Sequence, residues 1–263
     1  MYEFDYTRPT SLDDAAGGLR DADAKLVAGG MTLIPTLKMR LAKPSQLIDL
    51  GAIPGLKGIS EDGDTIVIGA MTRHAEVNRS AVVKRAIPAL AALAGMIGDP
   101  AVRNRGTIGG SIANNDPAAD YPAAVVGLNA IVRTNKREIA ADSFFTGLFE
   151  TALGDGEIVT GVRFPKPQAA NYQKFKNPAS RYAIVGVFVA RTAGGVRVAV
   201  TGAGACVFRV PAMEAALARS FTPDAIKDIA IPDTDLNSDI HASAEYRAHL
   251  VGVMARRAVA ACA

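Results

Sequence analysis

The chain has 263 residues, of which 49% are hydrophobic and 21% are charged, and its formal net charge is +3. That is enough chain for one large domain or two smaller ones with a sizeable core. The basic residues are scattered, which argues against a nucleic-acid-binding protein, and no apolar run approaches the ~20 residues of a membrane span. The N-terminal segment is charged and aromatic rather than an apolar leader, so we expect a cytoplasmic protein.

The first part of the chain alternates predicted strands and helices. Short apolar runs bounded by turn residues predict strands, and leucines four residues apart predict a helix. In chain order, the predicted elements are a strand at 25–28 that ends in Gly29–Gly30, a helix over 33–42, a strand at 45–50, a turn-rich link at 51–59, a strand at 65–72 and an apolar helix over 82–98.

The remainder begins with a polar run and continues with strands and two helices. Residues 103–122, RNRGTIGGSIANNDPAADYP, predict a non-helical loop, and the proline-, asparagine- and lysine-rich stretch 165–183 predicts a domain junction. The other predicted elements are hairpins over 130–141 and 184–204, a strand at 157–165 and helices over 210–221 and 243–261. The pattern indicates an α+β protein, with a larger N-terminal domain and a smaller C-terminal one.

Two Gly-Gly pairs are candidates for a phosphate-binding site. In AGGMTLIP, residues 28–35, a strand, a Gly-Gly turn and a helix start place backbone N–H groups in a concave array that suits a diphosphate. Taken alone, this pattern also describes an ordinary tight turn. In the polar run, a second Gly-Gly pair lies between Thr107 and Ser111, whose hydroxyls suit the same ligand.

The polar residues after the second Gly-Gly pair suit a different part of a ligand. Asn114, Asn115, Asp116 and Asp120 follow it closely. Carboxylates would repel a diphosphate, but they accept hydrogen bonds from sugar or ribityl hydroxyls. The combination predicts a dinucleotide with a long polyhydroxy chain, whereas a solvated loop with Asx turns would explain the Asn-Asp-Pro segment alone.

The usual residues of metal and acid–base catalysis are missing from the sequence. Cys206 and Cys262 are far apart, and His74, His241 and His249 show no metal-ligand spacing. No G-x-S-x-G nucleophile segment occurs, and Gly202 and Gly204 lack the third glycine of a Rossmann fingerprint. We therefore predict no metal site and no catalytic side chain in this chain.

Four segments in order resemble the FAD-binding medium subunit of the molybdenum hydroxylases, the family of the carbon monoxide dehydrogenase flavin subunit and the xanthine dehydrogenase flavin domain. The similar segments, which span nearly the whole chain, are AGGMTLIPTLKMRLAKPSQLIDL, GDPAVRNRGTIGGSIANNDPAADYP, KFKNPASRYAIVG and LNSDIHASAEYRAHLVGVMARRAV. The resemblance implies a two-part FAD-binding domain of the p-cresol methylhydroxylase type over 1–168, with subdomains of approximately 1–54 and 55–168. A smaller α+β C-terminal domain over 169–263 would follow.

The resemblance also implies which residues bind the cofactor. The first loop would hold the diphosphate by backbone amides, the second would continue that cradle, and Asp120 would contact the hydroxyl-bearing part. Lys176 would be a basic residue near the flavin, Tyr182 would lie near the exposed side of its ring, and Met31 departs from the polar residue of close relatives. The implied contacts are Ala28, Gly29, Gly30, Met31, Thr32, Leu33, Ile48, Thr107, Gly109, Gly110, Ser111, Asn114, Asp116, Asp120, Ile158, Val159, Lys176 and Tyr182.

In the family, electrons from substrate oxidised at a molybdenum cofactor pass through [2Fe–2S] clusters to FAD and then to an external acceptor. The resemblance thus implies an oxidoreductase subunit with non-covalent FAD. A large molybdopterin-binding subunit and a small [2Fe–2S] subunit would be its partners, in a dimer of heterotrimers. Two cysteines are too few for a cluster that takes four thiolates. The helix around Tyr246 to Val259, whose apolar stripe is longer than a small domain needs, is expected to form part of the surface that docks a partner.

Two other functions stay open from the sequence. One is a self-contained FAD-dependent oxidase of the same fold, although neither Gly-Gly loop holds a histidine for a covalent link. The other is a non-catalytic nucleotide-binding assembly module. The sequence names neither the substrate, which could be carbon monoxide, an aldehyde or an N-heterocycle, nor the final acceptor.

Overall fold

The computed structural model describes residues 1–262, which form three lobes along the chain, built from helices and four β-sheets. This confirms the predicted α+β class. Ala263, the last residue of the predicted C-terminal domain, lies outside the described residues.

The first lobe is a small parallel sheet with the strand order β1–β3–β2. Its elements are β1 (Asp5–Thr7), α1 (Leu12–Gly18), β2 (Lys25–Val27), α2 (Leu33–Lys38), β3 (Gln46–Asp49) and a 3₁₀ turn at Leu50–Ala52. The helix predicted over 33–42 ends early. Arg40 has a left-handed backbone (φ 59°), and Leu41 beyond it is 72% exposed, so no core continues the apolar face.

The second lobe is an antiparallel sheet of order β4–β5–β10–β6–β7 covered by short helices. Its strands are β4 (Ile59–Asp62), β5 (Thr65–Gly69), β6 (Ile131–Thr134), β7 (Glu138–Ala140) and β10 (Val159–Pro165), with a separate hairpin of β8 (Phe145–Gly147) and β9 (Glu150–Thr151). Its helices are α3 (His74–Arg79), α4 (Ala81–Ala86), α5 (Pro88–Gly95), α6 (Pro100–Arg105), α7 (Ile108–Asn114), α8 (Tyr121–Gly127) and α9 (Ala141–Phe144). The helix predicted over 82–98 is divided, because Pro88 begins a new helix at its first position.

The polar run 103–122 is largely helical, so the prediction of a non-helical loop was wrong. The Asp99 side chain accepts a hydrogen bond from the Val102 N–H and caps α6, and Thr107 caps α7 in the same way through Gly110. Asn115 ends α7 with a left-handed backbone at φ 42°. Short side chains that cap helices thus make a polar sequence helical here.

The third lobe is an antiparallel sheet of order β11–β12–β13–β14. Its elements are β11 (Ala169–Lys176), β12 (Ala183–Thr192), β13 (Gly195–Thr201), β14 (Phe208–Arg209), α10 (Pro211–Arg219), a 3₁₀ turn at Pro223–Ile226 and α11 (Ala244–Ala260). Much of the predicted junction at 165–183 is β11, which pairs with β12 along its whole length. Ladder hydrogen bonds to β12 therefore override the loop-like composition.

Strand β12 is buried on both faces. Phe188 and Ala190 pack into the core of the second lobe, while alternate residues such as Val187 and Val189 pack against α10 and α11. The apolar stripe of α11, including Leu250 and Met254, is therefore covered by this chain's own sheet. That stripe is therefore not free to dock a partner, and a docking role for the exposed face of the helix, which includes Tyr246, stays a prediction.

Among residues 1–262, no helix combines the length and the apolar character needed to cross a bilayer.

Candidate functional site

A cavity of about 570 Å³ lies where the three lobes meet. It is lined by the loop after β2, by the start of α7, by the segment before α8 and by the β11–β12 turn. Of the residues predicted to contact a cofactor, those that line it are Ala28, Gly29, Gly30, Met31, Thr32, Leu33, Thr107, Gly109, Gly110, Ser111, Asn114, Asp116, Asp120, Ile158, Val159 and Tyr182. The fold thus brings both Gly-Gly pairs to one wall.

Two predicted residues lie elsewhere. Ile48 is 1% exposed in the core of the first lobe, where β3 pairs with both neighbouring strands. Lys176 is exposed at the end of β11 and is not among the residues that line the cavity. The basic residue that reaches the cavity wall is Lys174, whose Nζ lies 2.8 Å from the Asp120 carboxylate. A bulge between Phe175 and Lys176 shifts the register of the strand at this point.

The first Gly-Gly loop presents a row of free backbone donors. In the described chain, the N–H groups of residues 29–33 donate to no protein acceptor, and all five residues line the cavity. Gly30 has φ +72°, and a Cβ at Gly29 would lie 2.2 Å from the Arg105 carbonyl oxygen. The sequence needs glycine at both positions, for backbone conformation at one and for close approach at the other. Consecutive free N–H groups of this kind form an anion-binding concavity.

The second Gly-Gly pair differs, because the fold already uses its amides. The Gly109 N–H donates to the Ala70 carbonyl at 2.8 Å, and the Gly110 N–H donates to Thr107 Oγ1 at 3.2 Å. A Cβ on Gly109 would lie 2.5 Å from the Ala70 Cβ, so this glycine allows α7 to pack against the end of β5. A Cβ on Gly110 would meet only Thr107 Oγ1 at 3.0 Å and the Ala28 Cβ at 3.7 Å. This segment therefore offers the cavity an open surface rather than the amide cradle expected from the sequence.

Asp120 connects the cavity wall to the third lobe. Its carboxylate, 4% exposed, accepts hydrogen bonds from Tyr172 Oη at 2.5 Å and from Lys174 Nζ at 2.8 Å. Burial raises the pKa of Asp120, and the ammonium of Lys174 opposes that rise. Both oxygens are engaged by β11, so a ligand hydroxyl can use only their remaining lone pairs.

The other polar residues of this wall are less committed. Asp116 accepts a hydrogen bond from the Ala118 N–H at 2.9 Å, and burial raises the pKa of its carboxyl. Tyr182 is 47% exposed, and partial burial raises the pKa of its phenol. These groups can accept or donate hydrogen bonds to a hydroxylated chain.

Among the cavity residues that sequence reasoning missed, two carry side chains that bear on the site, His74 and Phe149. His74 follows β5 at the start of α3 and is 4% exposed, and burial followed by the positive charge of Arg103 lowers its pKa to about 4. Its position directly after a predicted strand was the available signal. Phe149 lies in the turn between β8 and β9, and no pattern in the sequence connects it to the glycine loops.

The lining fits a ligand with a diphosphate and planar rings. Free N–H donors and an open glycine suit the diphosphate, polar side chains suit hydroxyls, and Ile97, Val102 and Ile158 form apolar walls. Within residues 1–262, no group of three or more histidine, cysteine or acidic residues is arranged to hold a metal ion. Cys206 and Cys262 are free thiols, and burial raises the pKa of both.

Comparison with known proteins gives matches over nearly the whole chain. Residues 2–167 match the FAD binding domain in molybdopterin dehydrogenase, and residues 170–262 match the CO dehydrogenase flavoprotein C-terminal domain. The nicotine 6-hydroxylase medium subunit of Paenarthrobacter nicotinovorans is 38% identical over 97% of this chain and 95% of its own. The carbon monoxide dehydrogenase medium chain of Hydrogenophaga pseudoflava is 36% identical over 97% and 96%.

Solved structures agree with the sequence relatives. Carbon monoxide dehydrogenase from Hydrogenophaga pseudoflava, in a form lacking the Mo-pyranopterin moiety of its cofactor, superimposes with a TM-score of 0.90 at 37% identity, covering 99% of this chain and 97% of the other. Quinoline 2-oxidoreductase from Pseudomonas putida 86 gives a TM-score of 0.89 at 28% identity, with coverage of 99% and 97%. The chain therefore belongs to the family of FAD-binding flavoproteins of the molybdopterin dehydrogenases, as the four sequence segments predicted.

Proposed function

We propose that this chain is the FAD-carrying subunit of a molybdenum hydroxylase complex and passes electrons from a partner's [2Fe–2S] clusters to an external acceptor. The observation that carries the proposal is the row of free N–H groups at residues 29–33, in a cavity large enough for a flavin nucleotide. FAD, when bound, supplies the electron-transfer chemistry, and the protein supplies binding, orientation and electrostatics.

In this proposal, each wall of the cavity has its own task. The amides of residues 29–33 hold the diphosphate, and Gly110 leaves room for its oxygens. Thr107, Ser111, Asn114 and Asp116 serve the hydroxylated chain. Asp120 acts chiefly by fixing this wall to β11, since Tyr172 and Lys174 occupy its carboxylate.

The apolar and aromatic residues of the cavity complete the assignment. Ile158 and Val159 contact the rings, and Tyr182 covers the mouth. Met31 contributes through its backbone, so a methionine in place of a polar residue leaves that contact intact. Ile48 supports the first lobe from its core and makes no direct contact with FAD in this assignment. Lys174 replaces Lys176 as the base beside the site.

The partners follow from the relatives. Several are named as medium chains or subunits of larger enzymes, which makes a complex with other chains part of the proposal. We propose a large molybdopterin-binding subunit and a small [2Fe–2S] subunit, with two copies of each of the three chains. A cytoplasmic location stays a prediction, which cell fractionation can test. We also propose domains over 1–168, with subdomains of about 1–54 and 55–168, and over 169–263.

The cofactor is tested first on the purified chain. Acid or heat should release a yellow supernatant that contains FAD rather than FMN, because the binding is non-covalent and a diphosphate site selects the dinucleotide. Flavin that stays with the precipitate would contradict non-covalent binding, and FMN in the supernatant would contradict the diphosphate assignment.

The relay is tested by reducing the flavin in two ways. In the isolated chain, dithionite should bleach the flavin, whereas aldehydes, purines and carbon monoxide should leave it oxidised. When the partner chains are present, the substrate of the complex should bleach it. Substrate-dependent bleaching by the chain alone would favour a self-contained oxidase, and absence of any reducible flavin would favour a non-catalytic module.

A further inference from the structure

Two non-glycine residues with a left-handed backbone meet beside the cavity. Asn115 ends α7 at φ 42°, and Phe149 lies at φ 55° in the turn that joins β8 and β9. Asparagine tolerates this conformation, but it is a genuine outlier for a bulky aromatic residue. The turn thus carries phenylalanine at a position where glycine would be unstrained.

The Asn115 side chain forms hydrogen bonds to both strands of this hairpin. Its Nδ2 donates to the Gly147 carbonyl at 2.8 Å and to the Glu150 carbonyl at 2.7 Å, one on each side of the tip. The residue is 1% exposed, and its Oδ1 is buried without a hydrogen-bond partner in the described chain. A buried unsatisfied oxygen and two left-handed residues are unfavourable features concentrated in one short hairpin.

Packing within the chain does not explain the phenylalanine. Phe149 is 56% exposed, so its ring gains little burial to offset the backbone strain, yet it lines the cavity. Its neighbour Leu148 is exposed to the same extent, 55%, but does not line the cavity. Strain that persists beside a binding site points to a ligand contact.

The position along α7 indicates which part of the ligand Phe149 meets. Thr107 and Gly110, beside the free amides, lie at the N-terminal end of this helix, and Asn115 lies at its C-terminal end. At 1.5 Å per residue, the hairpin is roughly 10 Å from the diphosphate wall. Asn114 and Asp116, which suit hydroxyls, lie at this same end. A ribityl chain, longer than the ribose of adenosine, suits this separation.

We propose that Phe149 contacts the isoalloxazine ring of the flavin and that Asn115 is the positioning residue that holds it there. The inference rests on the proposed FAD site. An aromatic side chain offers an edge or a face to a planar ring system, which a small turn residue could not. The hairpin is then a fixed part of the flavin pocket, and the backbone strain at Phe149 is the cost of placing its phenyl ring against the flavin.

The experiment compares three variants of the full chain, Phe149→Gly, Asn115→Gly and the control Leu148→Ala, with and without FAD. Without FAD, Phe149→Gly should lower the unfolding equilibrium constant about five- to thirtyfold, because glycine relieves the left-handed strain. With FAD, the same variant should bind about tenfold more weakly, and the flavin visible band and fluorescence should shift. Leu148→Ala should change neither property.

Asn115→Gly removes the side-chain hydrogen bonds to the hairpin without straining the backbone, since glycine accepts the left-handed conformation but lacks the side-chain amide. We expect a shifted flavin fluorescence with this variant also. An Asn115→Gly variant that loses stability yet keeps the wild-type flavin spectrum would overturn the positioning role.

The outcomes for Phe149 are equally distinct. If wild type binds FAD but Phe149→Gly keeps its affinity and spectrum, the inference fails while the proposed function stands. If Phe149→Gly weakens ADP binding and leaves the flavin spectrum unchanged, the ring it meets is adenine, and the isoalloxazine assignment is overturned. If wild type binds no FAD, the proposed function itself fails.

Discussion

His74 should make the protein less stable in mild acid. Its imidazole is 4% exposed, lies against the Tyr121 ring with centroids 5.4 Å apart, and has no partner at Nδ1 within the described residues. Burial, reinforced by the charge of Arg103, lowers its pKa to about 4 from the ~6.5 of an unfolded chain. Between these values the unfolded chain binds more protons than the folded one, so stability falls as the pH falls.

The size of the effect follows from the pKa difference. At about 1.4 kcal/mol per pKa unit, the loss reaches about 2 kcal/mol at pH 5 and about 3 kcal/mol when both forms are protonated. His74→Leu removes the titrating group and puts an apolar side chain of similar size in its place. The free energy of unfolding of this variant should therefore be within about 1.5 kcal/mol of the wild-type value at pH 7.5. Wild type should then lose stability relative to the variant as the pH falls.

Urea unfolding followed by circular dichroism suits the measurement, because the chain has no tryptophan. The informative quantity is the difference in unfolding free energy between wild type and His74→Leu at pH 7.5, 6, 5 and 4.5. Groups common to both proteins cancel in that difference. A difference that stays constant over this range would refute the assignment of a buried, neutral imidazole.

Three further predictions concern the glycine wall, the interlobe ion pair and acid stability. Gly110→Val should bind far less FAD per chain while the circular dichroism spectrum is retained, because its side chain fills the open surface beside Ala28; full flavin occupancy would show that the diphosphate lies elsewhere. Asp120→Asn leaves the buried ammonium of Lys174 unpaired and should lower the free energy of unfolding in urea by about 3–5 kcal/mol. Adding Lys174→Met should restore part of that free energy, and a double variant no more stable than Asp120→Asn would argue against the ion pair. Hydrogen bonds from Arg137 lower the pKa of Glu157 to about 2, so the ionised carboxylate stabilises the fold above pH ~4.3, and this stabilisation is lost as the pH falls towards 2. The unfolding free energy of Glu157→Gln should therefore depend less on pH in that range than that of wild type, and an equal dependence would contradict the assignment.

Local patterns in the sequence predicted the elements that depend on local chemistry. Alternating apolar residues located β5 and β10, and the Gly-Gly between apolar runs located the β12–β13 hairpin. The two Gly-Gly pairs were expected to serve one ligand, and the fold does bring them to the same cavity. Glycine pairs are informative in a sequence because tight turns and close backbone approaches require glycine.

The sequence-based predictions that were wrong concern residues whose structure is set by contacts between distant segments. The first amides of α7 are satisfied by Ala70 and Thr72, which no reading of residues 103–122 alone would reveal. The resemblance implied Lys176, but a strand bulge and a buried carboxylate partner, neither of which shows in the sequence, make Lys174 the lysine that points inwards. The hydrogen bonds from Asn115 to the hairpin connect residues more than thirty positions apart. Such pairings are set by tertiary packing, which overrides local propensity.

The double burial of β12 limits how freely the two regions of this chain can be exchanged between relatives. Gly127 in α8 faces Phe188 so closely that a Cβ would lie 2.8 Å from its ring. A chimera that took residues before 168 from one parent and the remainder from another would therefore inherit a mismatched seam, even with both sequence regions intact. Successful grafts should carry compensating changes at such pairs, and variation at the two positions should be correlated among functional hybrids.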